Sequence, residues 1–422
     1  MIGLPATIAP RARLMAAFRW CPFWPLVLLC SLPVPSELSF MVAGLRLNPT
    51  RVILLVAFIP ASMRLVSGKA GRMHLMDHLI FLCLIWSFIV IGYHHGLSVA
   101  LQSGGINLLE LGGGYLIARV WILKERDYRG AMIVLVALMC LLAPFVLIES
   151  ITGMHIIKTI ASGHTFHSEI GSRMGLTRAY GPFDHPIHLG VIAASTLGII
   201  MIPALPKLGA PKQRPFLKYG ILISALSSLS SGGIFTLGIQ TILLFWNRLT
   251  RTMRSRWIKL TLLIMCFYAA IELLSNRSGV IVLLSYLTFS VDTAYNRVMI
   301  FDWGMNNFWS SPLLGIGFND WARPDWVFSS SMDNFWLVNA VTFGFPGFFL
   351  LALSTLLMVS KGWKELPSRI LMLRTGWAIS MLGLIFAATT VHLWNNLYVY
   401  FSFMLGAGAW FHNIKRTNRI FK

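Results

Sequence analysis

The chain alternates between long apolar runs and short polar connections from one end to the other. A helix needs about 20 mostly apolar residues to cross the hydrocarbon core of a bilayer. The pattern therefore predicts an all-α, polytopic membrane protein in which residues 1–422 form a single transmembrane domain. We expect about twelve spans, near residues 22–43, 52–66, 77–95, 101–122, 130–149, 187–206, 217–231, 233–247, 259–275, 335–359, 374–391 and 393–412.

Two connections are far longer than the others, at residues 150–186 and 276–334. Connections longer than about 12 to 15 residues are uncommon in compact proteins, and they usually carry function. We therefore expect a functional site in these two segments.

Composition agrees with a membrane location, because 56% of the residues are hydrophobic and only 12% are charged. A net charge of +20 would suggest a nucleic-acid partner if the basic residues formed one stripe. Instead, 26 of the 35 Lys and Arg fall in the two terminal arms and in alternate connections. Positive charge marks the cytoplasmic side of a membrane protein. We therefore expect membrane lipid, and no nucleic acid, as a partner. We also expect both termini on the cytoplasmic side and the two long segments on the opposite side.

The end of the first long segment, residues 177–186, reads TRAYGPFDHP and concentrates groups that bind anions. Its Gly-Pro pair predicts a turn, and the apolar residues beyond predict a helix that begins near Pro186. Backbone N–H groups and Arg178 could then converge on an anion. The alternative is a helix cap, with Arg178 on lipid phosphates. Arg173, Tyr180 and Asp184 are the accompanying candidates for substrate binding.

In the second long segment, Arg297 lies on a predicted short amphipathic helix outside the membrane. A planar guanidinium can hold a pyrophosphate at two oxygens together, which lysine cannot match. The alternative is a salt bridge to Asp292 or Asp302. Arg178 and Arg297 thus place one candidate arginine in each long segment.

The second segment is also rich in Trp and Phe, which form either an interfacial belt or a platform for sugar rings. On the latter interpretation, Trp321 and Trp336 bind substrate. Asp333 and Asn334 stand where the next helix begins, and N-capping is the alternative to a role in the chemistry.

Five histidines lie on or beside the first segment, at positions 155, 164, 167, 185 and 188, without the spacing of a known metal site. We therefore expect no metal. Within the predicted spans, Asp77 near a cytoplasmic end is expected to reach water. Glu110 is a candidate for a polar pathway, in competition with helix packing at the glycines that follow it.

In their order along the chain, these motifs resemble the O-antigen ligase and polysaccharide polymerase superfamily of bacterial envelopes. The chain departs from the family at Ser230-Ser231-Gly232, where many members carry Ser-Arg-Gly, and at Asp333, where many carry His. The matching positions are Arg178, Gly181, Phe183, His185, Pro186, Arg297, Pro312, Leu313, Gly315, Gly317, Asn334, Gly344 and Gly347.

The resemblance implies transfer of a glycan from a polyprenyl diphosphate carrier to a glycan or lipid acceptor, without a metal or cofactor, at the periplasmic face of the inner membrane. Arg178 and Arg297 would stabilise the leaving diphosphate, and Asp333, or else His185, would act as the base. A polymerase of an envelope polysaccharide or exopolysaccharide is the first function considered. The alternatives are an O-antigen ligase acting on lipid A core or protein, and a transporter or flippase, which would place polar residues at broken helices near the bilayer midplane.

Overall fold

The computed structural model describes residues 19–42, 44–167, 170–201, 214–276, 279, 282, 291–327, 331–361 and 366–414. These parts of the chain are mainly helical. In chain order the helices are α1 (Phe23–Ser31), α2 (Pro49–Val66), α3 (Leu75–Val99), α4 (Gly114–Trp121), α5 (Glu125–Thr152), α6 (Ile156–Ser162), α7 (Pro186–Ser195), α8 (Leu197–Met201), α9 (Arg214–Ser227), α10 (Ser231–Leu249), α11 (Arg256–Leu274), α12 (Val291–Ser310), α13 (Phe335–Ser360), α14 (Ser368–Ala387) and α15 (Asn395–Ala407).

Among the described residues, six helical stretches are long and apolar enough to cross a membrane. They are α2, the continuous helical run Leu75–Trp121, α5, α11, α13 and α14. A helix lies at every predicted position, but several are too short to qualify. The 13 residues of α15, at about 1.5 Å each, span about 20 Å, less than a hydrocarbon core of about 30 Å. The structure is thus that of an α-helical membrane protein with six candidate spans.

The first predicted span, residues 22–43, is wrong in its length. Helix α1 ends at Ser31, and Pro33 and Pro35 follow, which cannot continue a helix because they lack an N–H group. A 3₁₀ turn (Ser36–Leu38) and an antiparallel hairpin then replace the predicted helix. Strand β1 (Phe40–Val42) pairs with β2 (Leu45–Leu47) in this hairpin.

The helical run from α3 to α4 folds back on itself at Gly96, whose φ of 82° is non-helical. Asn107 after the bend donates to Ser87 before it at 3.0 Å, and Arg119 reaches Asp77 at 2.9 Å. The two arms are therefore antiparallel neighbours. π-helical turns at Ala100–Gly104 and Leu108–Gly113 widen the returning arm.

Helix α13 is broken at Gly344, with φ of 68°. The rings of Trp336 and Phe348, on opposite sides of the break, are 6.4 Å apart. Twelve residues of straight helix would separate them by about 18 Å, so the two halves fold toward each other. Residues 312–318 close the break, because Ile316 N–H and Gly317 N–H donate to carbonyls of its first half.

The core and the lipid-facing surface are divided between different helices. Helix α15 is buried on all sides and packs along α4, whereas α11 has no buried residue among those described. A helix that is apolar and exposed all round fits a lipid environment. Asp77 is fully buried and paired with Arg119, so the expectation that it reaches water is wrong.

Candidate functional site

Arg178 is positioned by hydrogen bonds of both its chain neighbours. Thr177 N–H donates to Ser150 O at the end of α5, at 2.9 Å, and Ala179 N–H donates to Ser227 O at the end of α9, at 3.0 Å. The sequence folds this way because a Gly-Pro turn follows directly and leads into α7. Arg178 is therefore fixed between two helix ends, half-buried.

The backbone around Arg178 is already occupied. Glu149 accepts from Tyr180 N–H at 2.6 Å and from Gly181 N–H at 3.1 Å. Helix α7 begins at Pro186, as predicted, but Ile187 N–H donates to His185 Nδ1 at 3.1 Å. These N–H groups are therefore not available to an anion, and the side chain of Arg178 is the group that can bind one.

Arg173 and Arg297 converge on the segment that precedes and starts α10. Arg173 Nη1 donates to Leu229 O at 3.0 Å, and Arg297 Nη2 donates to Ser231 Oγ at 3.2 Å. Ser231 is the first residue of α10, where helix N–H groups point outward and add partial positive charge. The two long segments thus meet at one helix N-terminus.

The arginines influence one another electrostatically, so they share one neighbourhood. Burial lowers the pKa of Arg178 to about 10, and the charge of Arg173 acts in the same direction. Burial also lowers the pKa of Arg297; Asp333 opposes this effect and Arg173 adds to it. We call Arg173, Arg178 and Arg297 the arginine cluster. Three positive charges thus lie close together, with the Asp333 carboxylate beside Arg297, and such a grouping favours binding of a multiply charged anion.

Several buried polar atoms around this cluster have no hydrogen-bond partner among the described residues. Arg178 Nε, Ser230 Oγ and both ring nitrogens of His188 are examples, and His392 Nδ1 is another. Trp394 connects the histidines, because its ring centroid lies 4.3 Å from that of His188 and 6.0 Å from that of His392. Buried polar groups normally have partners, so this grouping is expected of a ligand site.

Asp333 and Asn334 take different roles at the start of α13. Asn334 caps the helix, since its Oδ1 accepts from Leu337 N–H at 3.1 Å. Surrounding protein atoms raise the pKa of the Asp333 carboxyl, while Ser331 Oγ, 3.2 Å away, and the charge of Arg297 oppose the rise. The Asp333 side chain still reaches solvent. It therefore offers an accessible carboxylate beside Arg297.

An apolar groove of about 400 Å³ runs beside Asn334. Arg297, Phe301, Met305 and Phe308 are spaced four, four and three residues apart and so share one face of α12. The last three line the groove, with Trp336, Leu337, Ala340, Phe345, Phe348 and Thr389 opposite. One helix face thus carries a cation at its start and an apolar channel after it.

The three aromatic candidates differ in their exposure. Trp321 is only 5% exposed and packs with Phe308 and Val341, so it stabilises the segment. Tyr180 is buried against His155, with ring centroids 4.2 Å apart, and under Lys158 Nζ at 4.8 Å. The indole N–H of Trp336 donates to Ile385 O at 3.0 Å, and Trp336 lines the groove.

Asp184 lies in a second, polar cavity of about 370 Å³. Its carboxylate accepts from Ser36 Oγ and, at 2.9 Å, from Asn395 Nδ2. Burial favours the neutral acid, but these two hydrogen bonds outweigh it and the pKa of Asp184 is lowered. Asn395 Oδ1 in turn accepts from Arg51 at 3.1 Å, and Arg51 is paired with Glu110 at 2.7 Å.

His185 lies between the polar cavity and the arginine cluster. Burial lowers its pKa to about 4; the charge of Arg178 acts in the same direction and that of Asp184 in the opposite one. The ring is therefore neutral near pH 7. Because Nδ1 accepts from Ile187 N–H, the proton is assigned to Nε2, and the ring can donate there.

Residues that the sequence interpretation missed come mainly from outside the two long segments. Glu149 holds the turn after Arg178, and Arg51, Asn395 and Ser36 build the polar cavity. One signal was present: residues 392–396, HLWNN, form a polar interruption between two apolar runs. The chain matches no protein-family model and no curated protein, so its function has to be inferred from its own residues.

Proposed function

We propose that the chain is a membrane glycosyltransferase that polymerises an envelope polysaccharide or exopolysaccharide from polyprenyl-diphosphate-linked repeat units. It would act at the periplasmic face of the bacterial inner membrane, within a bundle of about twelve spans and with both termini in the cytoplasm. The observation that carries the proposal is the juxtaposition of the arginine cluster with the apolar groove. A polyprenyl diphosphate has the same two parts, a multiply charged head and a hydrocarbon tail.

The order of these parts along α12 supports this substrate. Arg297 stands one helical turn before Phe301, where the groove lining begins. A diphosphate held by Arg297 would thus direct its lipid chain along Met305 and Phe308. Arg173 and Arg178 would neutralise the rest of the diphosphate charge, which grows as the leaving group departs.

The contacts of Arg173 and Arg297 also explain one difference between this chain and the superfamily it resembles. Many members carry an arginine where this chain has Ser231. Here Arg297 reaches Ser231 Oγ from another segment, and Arg173 binds the adjacent Leu229 carbonyl. We infer that these two side chains supply the positive charge from elsewhere in the chain.

The chemistry needs a base for the acceptor hydroxyl. The hydroxyl oxygen attacks the anomeric carbon of the donor, the bond from that carbon to the diphosphate oxygen breaks, and the hydroxyl proton passes to the base. Asp333 is our choice, because it is solvent-accessible and lies beside Arg297. His185 is less suited, since its free nitrogen carries the proton in the arrangement described.

A transporter is the competing function, because transporters often contain broken membrane helices. This chain has such breaks at Gly96 and Gly344. In this chain the carbonyls freed at Gly344 are occupied by protein. Gly317 N–H donates to Thr342 O at 3.0 Å, and Trp86 Nε1 donates to Phe343 O at 2.8 Å. Polar groups with unfilled bonds lie instead around Arg178, which favours the enzyme.

The proposal is tested by substituting the cluster arginines. Arg178→Ala and Arg297→Ala should each reduce polymer formation about 100-fold or more, because each removes charge stabilisation from the transition state. Purified variants in lipid nanodiscs would be given polyprenyl-diphosphate-linked repeat units, and product length would be read on gels. Arg323→Ala is the matched control, because this arginine of the same long segment is paired with Asp320. Full polymer production by either cluster variant at normal protein level would refute the proposal.

Polymerase and ligase are separated by gene deletion followed by analysis of the surface glycan. The proposal predicts single repeat units left on the carrier or on the lipid A core. Long chains accumulating on the carrier would instead assign the ligase function to this chain.

A further inference from the structure

The polar cavity beside Asp184 has the character of a binding site in its own right. Among the residues that the structure describes, its lining consists of polar side chains alone: Ser36, Arg46, Asn48, Arg51, Asp184 and Asn395. At about 370 Å³ it falls near the lower end of ligand-pocket volumes, about 300 to 1,000 Å³, and so fits a small ligand such as a mono- or disaccharide.

Both donors and acceptors remain open in this cavity. Among the described residues, Arg46 Nη1 and Asn48 Nδ2 have no hydrogen-bond partner, and both residues line the cavity, Arg46 exposed and Asn48 7% exposed. Asp184 receives two hydrogen bonds, whereas an ionised carboxylate can accept about four. A hydroxyl group both donates and accepts, so this mixture suits a polyhydroxylated ligand.

The balance of charges in the cavity favours a neutral ligand over a phosphate. Arg51 is neutralised by Glu110, with N–O distances of 2.9 and 2.7 Å, and Arg46 faces the ionised Asp184 across the cavity. Positive and negative charges therefore balance. The arginine cluster, by contrast, brings three cations together, with Asp333 acting on Arg297. A neutral ligand is favoured in the cavity and an anion in the cluster.

The two sites adjoin at His185. Asp184, in the cavity wall, is its chain neighbour, and both Asp184 and Arg178 act on the charge of its ring. A ligand in the cavity would thus lie next to the position of the diphosphate. Resting on the function proposed above, we infer that the cavity of Arg46, Asn48 and Asp184 binds a sugar unit of the acceptor glycan.

The inference is tested by sugar binding to the full-length protein in nanodiscs, measured by saturation-transfer NMR with maltose, cellobiose, lactose and chitobiose. We expect at least one disaccharide to bind the wild type. Arg46→Ala and Asn48→Asp should weaken it about tenfold, the effect of losing a hydrogen bond to a charged or buried donor. Asn48→Asp keeps an oxygen that can cap α2, and it replaces the Nδ2 donor with an acceptor that carries negative charge. Arg178→Ala should bind the sugar normally.

Three results would overturn the inference: no disaccharide binds, the Arg46 and Asn48 variants bind as the wild type does, or inorganic pyrophosphate displaces the sugar. The last would assign an anion to the cavity. Failure of the proposed function looks different, because sugar binding would persist while Arg178→Ala and Arg297→Ala kept full polymer production.

Discussion

At the scale of single residues, Asp333 is the group whose ionisation the proposed chemistry requires. Its pKa is raised by the surrounding protein atoms and held down by Ser331 and Arg297. A base must be ionised, so activity is lost as pH falls through the pKa of the folded protein. Because that pKa is raised, the loss begins at a higher pH than for a free aspartate, whose pKa is about 3.9.

The Ser331→Ala variant tests this assignment without touching the arginines. It removes a hydroxyl that stabilises the carboxylate at 3.2 Å, so the acid limb of the rate profile should move to higher pH. Asp333→Asn should lower the rate about 100-fold or more and abolish the limb. Ser310→Ala is the matched control, because its hydroxyl donates to Asn307 O and has no other hydrogen-bond partner among the described residues. An unchanged profile in Asp333→Asn would exclude Asp333 as the base.

The sequence identifies some of these residues and not others for a physical reason. Arg178 and Arg297 stand out because they oppose the charge bias of the chain, and that bias is visible without a structure. Their meeting with Ser231 is not visible, because 66 residues separate Arg297 from Ser231. The link from Arg51 to Asn395 spans 344 residues, and no local pattern encodes it.

At the scale of elements, apolar run length predicts where helices lie but not where they bend. The reversal at Gly96 and the break at Gly344 both use a conformation with φ near +70° to +80° and extended ψ, which is essentially restricted to glycine. Glycine alone is too common in membrane helices to mark a break. Residues 312–318 hold both breaks together, because His94 Nε2 lies 3.0 Å from Gly315 O and Phe318 N–H donates to His95 Nε2.

Alanine substitutions at the two bends should destabilise the protein to different degrees. An added Cβ at Gly96 meets no atom within 4 Å, so Gly96→Ala tests the backbone conformation alone. It should lower the free energy of unfolding by on the order of 1–3 kcal/mol. Gly344→Ala should cost more, because its Cβ also collides with the Leu313 carbonyl. The measurement is the midpoint of thermal unfolding in detergent. Gly238→Ala, in open space on α10, is the control and should not destabilise the protein. Equal midpoints for all three variants would contradict the strain expected at the two bends.

At the scale of the whole molecule, the described contacts separate two ends of the bundle. One end holds Asp77, Arg119 and Arg374, the last of which donates to Met358 O at 3.3 Å. The other holds the arginine cluster and the polar cavity. Most basic residues of the sequence are expected at the first end, so the positive-inside rule predicts that this end lies in the cytoplasm. On this prediction the proposed site faces outward.

This orientation is tested with alkaline phosphatase fused after truncation points on each side. The enzyme needs disulfide bonds, which form outside the cytoplasm. A fusion after His164, exposed in the first long segment, should be active, and a fusion after Met253, exposed between α10 and α11, should be inactive. Comparable fusion levels on blots are the control. The reverse result would place the arginine cluster on the cytoplasmic side of the membrane, opposite to periplasmic glycan assembly. It would therefore contradict the proposed function.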